Sequence, residues 1–217
     1  MMKTILAYGD SLTYGANPRQ GGPRHAYEDR WPTSLEKALG GKARVIAEGL
    51  GGRTTAADDW HAAADRNGAR ILPTLLESHS PLDMVIIMLG TNDLKPSVCG
   101  SALEASFGIR RLVHLVRGVS AGKGETPPQI IIVSPPLLCD GENADMMGHF
   151  GGAAYGIAQS REFAGHYARR AEELGTGFFD ASTVSVASPL DGVHLDATNT
   201  RAIGDGLAPL VSKILGL

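Results

Sequence analysis

The chain has 217 residues, 43% apolar and 20% charged, a balance that fits a folded globular protein and excludes a disordered chain or a coiled coil. Domains commonly run to roughly 100–200 residues, so residues 1–217 are expected to form one domain. The formal charge of −3 leaves no basic surplus to neutralise a phosphate backbone, and nucleic acid is not an expected partner.

Five short apolar runs read as strands: 4–8, 44–47, 84–89, 129–133 and 177–179. The third (MVIIML) and fourth (QIIIV) are continuous rather than alternating, as in parallel strands covered on both faces. Helical patterns lie between them. The first, 31–39, has Pro32 near its start and Gly40-Gly41 as a stop. The second, 70–77, contains Pro73, which restricts it to a helix starting there. The third, 106–116, puts Ile109, Leu112, Val113 and Val116 on one face. The stretch 135–157 is rich in Gly and Met and reads as a long functional loop. The pattern at 159–174 stops at Gly175, and 198–215 repeats apolar residues at Ile203, Leu207, Leu210, Val211 and Ile214. Strand and helix alternating in this way imply a five-stranded parallel sheet with helices on both faces.

In such open sheets the working site lies beyond the carboxyl ends of the strands. There the chain carries Gly9-Asp10-Ser11-Leu12-Thr13, then 49–55 (GLGGRTT), Gly90-Thr91-Asn92-Asp93, Ser134-Pro135-Pro136, and Asp191-Gly192-Val193-His194. Acyl transfer needs a nucleophile, a base, a group that orients the base, and donors where the oxyanion forms. Ser11, in a tight strand-to-helix turn, is the candidate nucleophile. His194 is the candidate base, because an imidazole with an ordinary pKa near ~6.5 shuttles protons at neutral pH. Asp191 can accept from the other ring nitrogen and fix its tautomer. The Ser11 N–H, the Gly52 N–H and the Asn92 side-chain amide are the candidate oxyanion donors. Asp93 is expected to be structural.

The ordered set Gly9-Asp10-Ser11-Leu12, Gly52, Gly90-Thr91-Asn92-Asp93 and Asp191-x-x-His194 resembles the GDSL/SGNH hydrolases. GDSLTYG (9–15), Arg30-Trp31, EGLGGRTT (48–55), VIIMLGTND (85–93), VSPP (133–136) and DGVH (191–194) are closer still to its bacterial arylesterase/acyltransferase subgroup. The resemblance implies a flavodoxin-like three-layer α/β/α sandwich. It also implies hydrolysis of short-chain (aryl) esters through a seryl acyl-enzyme, with alcohol or peroxide competing with water. The same machinery would serve a carbohydrate O-deacetylase or a thioesterase. A small-molecule ester as partner and a homo-oligomer, octamers among the known forms, are further implications. The chain departs from the pattern at Ala47, Gly51 and Ala16, where relatives carry Asn, Ser and an aromatic residue. A less apolar mouth at Ala16 would exclude water less well, which favours hydrolysis over acyl transfer.

Other readings are weaker. Gly118-Val119-Ser120-Ala121-Gly122 matches the nucleophile-elbow pattern, but a helix precedes it and a strand follows, the reverse of what the elbow requires. No histidine pair has metal-ligand spacing, and 49–55 lacks the Lys-Ser/Thr ending of a phosphate loop, so neither metal nor cofactor is expected. Cys99 and Cys139 form neither a C-x-x-C pair nor a disulfide framework. The N-terminal apolar run is shorter than a signal-peptide core, and no run approaches the ~20 apolar residues of a membrane helix, so a cytoplasmic protein without a membrane partner is expected. The apolar residues of 146–157 are expected to line the acyl pocket or meet another subunit.

Overall fold

The computed structural model describes residues 2–19, 21–122, 124 and 126–217. Five parallel strands, β1 (Lys3–Gly9), β2 (Ala43–Gly49), β3 (Met84–Met88), β4 (Gln129–Ser134) and β5 (Gly177–Asp180), form one sheet in the order β2-β1-β3-β4-β5. This is the flavodoxin-like order, and it reverses direction between β1 and β3, where such sheets open a crevice.

The helices are α1 (Ser11–Tyr14), α2 (Trp31–Ala38), α3 (Gly68–Ser78), α4 (Ala102–Gly122), α5 (Ala144–Gly148), α6 (Ala153–Leu174) and α7 (Ala197–Leu215). The period-2 geometry of β1 sends Ile5 and Ala7 to one face and Leu6 and Tyr8 to the other, all fully buried. On the first face they meet Trp31 and Leu35 of α2 and Ile203, Leu207 and Val211 of α7. On the second they meet Leu72 of α3, Ile109, Leu112 and Val116 of α4, and Phe163 and Tyr167 of α6. Two apolar cores therefore sandwich the sheet between helical layers, which is why the strand sequences are continuously apolar.

Two expectations are corrected. Pro73 does not start its helix but lies inside α3, which begins at Gly68 behind an Asn67 cap that accepts from the Ala69 N–H at 3.0 Å. Burial of Leu72 and Leu76 outweighs the one backbone hydrogen bond that proline forfeits. The stretch 135–157 is not one long loop: it contains α5 and the start of α6, because Met147 and Phe150 are drawn into the core. Its apolar residues thus serve this chain's own packing to a large extent, although Met146 reaches the cavity beside His194. Among the described residues no helix is long and apolar enough to cross a membrane.

Candidate active site

Ser11 opens α1 directly after β1. Asp10 caps that short helix, its Oδ1 accepting from the Leu12 N–H at 2.9 Å. Trp31 Nε1 donates to Thr13 Oγ1 at 3.1 Å and anchors the same turn from α2. His194 arrives from the other end of the chain, in the loop before α7. His25 holds that loop, with Nε2 donating to the Leu195 carbonyl at 2.8 Å.

The structure brings Ser11, His194 and Asp191 into line. Ser11 Oγ lies 3.0 Å from His194 Nε2, and His194 Nδ1 lies 2.6 Å from Asp191 Oδ2. A carboxylate can only accept, so Nδ1 carries the ring proton and Nε2 presents a lone pair to the serine hydroxyl. Asp191 is itself fixed, because its Oδ1 accepts from the N–H groups of Val193 (2.9 Å) and His194 (2.8 Å). Burial acts to raise its carboxyl, but these hydrogen bonds and His194 outweigh it and hold the group below its ordinary value.

Asn92 sits in a 3-10 turn, Thr91–Leu94, directly after β3. Its Nδ2 donates to the Arg53 carbonyl at 3.2 Å, leaving the second amide proton for another acceptor. Gly52 occupies a turn closed by the Arg53 N–H on the Leu50 carbonyl (3.0 Å) and has φ of +81°, a conformation glycine adopts without penalty. Among the described residues no backbone or side-chain group accepts from the Gly52 N–H. The candidate donors therefore stand on neighbouring strand ends, with protons to spare.

Sequence reasoning assigned no role to Arg53, Thr55 or His25. Arg53 is buried beneath the site, donating to the carbonyls of Gly9 (2.8 Å) and Glu48, with its guanidinium 4.4 Å from the Tyr8 ring centroid. It ties the end of β1 to the loop after β2. Its placement in EGLGGRTT was the available signal. Asp93 is fully buried and binds Thr55. Burial pushes the Asp93 carboxyl up to about 7, against the Thr55 hydrogen bonds and helped by the charge of Asp10. Burial likewise lifts Asp10 to about 6. Ser120 lies inside α4 with Oγ 3.5 Å from the Val116 carbonyl, in no strand-to-helix turn. Among the described residues no group of three or more His, Cys, Asp or Glu side chains could hold a metal ion.

The GDSL-like lipase/acylhydrolase family model matches residues 7–202. The chain belongs to the GDSL-like lipase/acylhydrolase family. This acylhydrolase is 54% identical, over the whole of both chains and with a TM-score of 0.94, to a structure described as a carbohydrate acetylesterase family member from Sinorhizobium meliloti. It is 38% identical to the native aryl esterase of M. smegmatis, over 97% of this chain and 99% of that one, with a TM-score of 0.90. A second carbohydrate acetylesterase from Sinorhizobium meliloti is 36% identical over 98% and 99% of the two chains, with a TM-score of 0.90. The comparison with curated proteins returned no match. Ester hydrolysis by a serine esterase is the reaction class of this acylhydrolase.

Proposed function

We propose that the acylhydrolase cleaves short-chain esters, aryl esters among them, through an acyl-enzyme on Ser11. The observation that carries this reading is the unbroken hydrogen-bonded line from Ser11 Oγ through His194 to Asp191 Oδ2. Ser11 Oγ attacks the ester carbonyl carbon as His194 Nε2 takes its proton. The carbonyl oxygen becomes an oxyanion that accepts from the N–H groups of Ser11 and Gly52 and from Asn92 Nδ2. Collapse breaks the bond to the alcohol, which leaves with the proton from His194. Water then attacks the acyl-serine, His194 again serving as base, and the carboxylic acid departs with Ser11 restored. Asp191 holds the ring tautomer and stabilises the imidazolium.

Hydrolysis is favoured over transfer to alcohol or peroxide by the character of the mouth. The cavity of about 370 Å³ at His194 has Ala16 in its wall beside Tyr14, Pro18 and Met146, and a methyl group there shields less of the site from water than an aromatic ring would. A second reading, deacetylation of a carbohydrate, draws support from the two acetylesterase relatives.

Labelling by a fluorophosphonate tests the mechanism. Wild-type and Ser120→Ala enzyme are expected to label and Ser11→Ala to stay unlabelled; label on folded Ser11→Ala refutes the assignment. Ranking p-nitrophenyl esters, acyl-thioesters and acetylated sugars by kcat/KM decides between the substrate readings.

A further inference from the structure

The loop after β2 carries the Gly52 N–H, and a peptide N–H can be aimed only by fixing the backbone around it. Each residue that follows Gly52 is tied down differently. The Arg53 carbonyl accepts from Asn92 Nδ2 at 3.2 Å. The Thr54 N–H donates to the Arg66 carbonyl at 2.9 Å. The Thr55 N–H donates to Asp93 Oδ2 at 2.9 Å and Oδ1 at 3.2 Å, while Thr55 Oγ1 donates to Asp93 Oδ1 at 2.5 Å. Asp93 and Thr55 are both shut away from solvent, at 0% and 1% exposure, so no water competes for these bonds.

The helix behind is shaped for this contact. Gly108 lies in the middle of α4, where a glycine weakens a helix relative to alanine. A Cβ there would stand 1.8 Å from Thr55 Oγ1 and 2.5 Å from Thr55 Cβ. The helix accepts that loss, and Thr55 gains a seat against Asp93.

We propose that Asp93 is a positioning residue for the oxyanion site, its buried side chain clamping Thr55 so that the Gly52 N–H stays in register with the Asn92 amide. The proposal rests on the assignment of Gly52 and Asn92 as oxyanion donors. Adjacent residues of one 3-10 turn then divide the work: Asn92 supplies a donor directly, and Asp93 holds the loop that supplies another. Both Asp93 oxygens accept from Thr55; an asparagine can keep both contacts by donating to Thr55 Oγ1, whereas an alanine loses them.

The test compares Thr55→Val, which keeps shape and loses the hydroxyl, with Thr55→Ser, which keeps the hydroxyl, and with Asp93→Ala, which removes both acceptors. Steady-state hydrolysis of p-nitrophenyl acetate is measured together with inhibition by a boronic acid that forms a tetrahedral serine adduct. A loop displaced by about 1 Å costs on the order of 10²-fold in rate. Asp93→Ala and Thr55→Val are expected to lose roughly 10- to 100-fold in kcat, with KM little changed and boronate affinity falling in parallel. Thr55→Ser is expected to stay close to wild type. A folded Thr55→Val enzyme with wild-type kcat, or one that loses KM alone, overturns the clamp. So does a loss in kcat without a loss in boronate affinity. Thr55→Val removes one hydroxyl without changing volume, which keeps the test open if Asp93→Ala does not fold. Failure of the underlying reading shows separately, as Asn92→Ala with unimpaired kcat.

Discussion

Asp191→Asn is a perturbation whose outcome the geometry fixes in detail. Asp191 Oδ1 accepts two backbone N–H bonds, from Val193 at 2.9 Å and His194 at 2.8 Å. An asparagine must keep its carbonyl oxygen on those donors, because the reverse orientation would press an NH2 against two N–H groups. Its Nδ2 then replaces the oxygen that stood 2.6 Å from His194 Nδ1. That nitrogen donates, so His194 Nδ1 becomes an acceptor and the ring proton moves to Nε2. Nε2 then points a proton at Ser11 Oγ, 3.0 Å away, and cannot receive one. The fold is little disturbed, since both backbone bonds persist. A wrong tautomer of this kind lowers kcat by about 10⁴ in a serine triad, or about 5.5 kcal/mol of transition-state stabilisation. The assay is p-nitrophenyl acetate hydrolysis beside a thermal melt of each protein. An Asp191→Asn enzyme that melts like wild type and keeps kcat within tenfold refutes the tautomer argument.

Other expectations follow from the buried groups. Asp10 is lifted from 3.8 to about 6, so the folded chain holds this proton more tightly than the unfolded chain. The resulting stability is full below about pH 4 and is lost as pH rises through about 6. A shift of roughly 2 units is worth about 3 kcal/mol; Asp10→Asn should gain that much on wild type between pH 4 and pH 8 in urea unfolding, and an unchanged gap refutes it. His25→Ala leaves the buried Leu195 carbonyl without its 2.8 Å partner. It is expected to cost about 1–3 kcal/mol, read as a lowered urea midpoint, and an unmoved midpoint removes the tether. Light scattering tests the expected homo-oligomer, and a clean monomer at micromolar concentration counts against it.

The sheet was legible because strands such as β3 and β4 are buried on both faces and cannot alternate. The candidate triad and the Asn92 donor were legible because Ser11, Asn92, Asp191 and His194 each follow a strand or precede a helix at the sheet's carboxyl edge. Two local rules failed where tertiary packing opposed them. Pro73 was overridden by Leu72 and Leu76, and the glycines of 135–157 were overridden by Met147 and Phe150. The roles of His25 and Thr55 were not legible at all. Their partners, Leu195 and Asp93, lie 170 and 38 residues away, and nothing local announces a contact over such spans.

The hydrogen bond between Ser11 and His194 joins residues 183 positions apart. On the proposed reading, a ribosome must add all of those residues before the hydroxyl acquires its proton acceptor. On that reading a nascent or proteolytically shortened chain that ends ahead of residue 194 carries a serine no more reactive than any other, and turnover doubles as a report that the segment around His194 has docked.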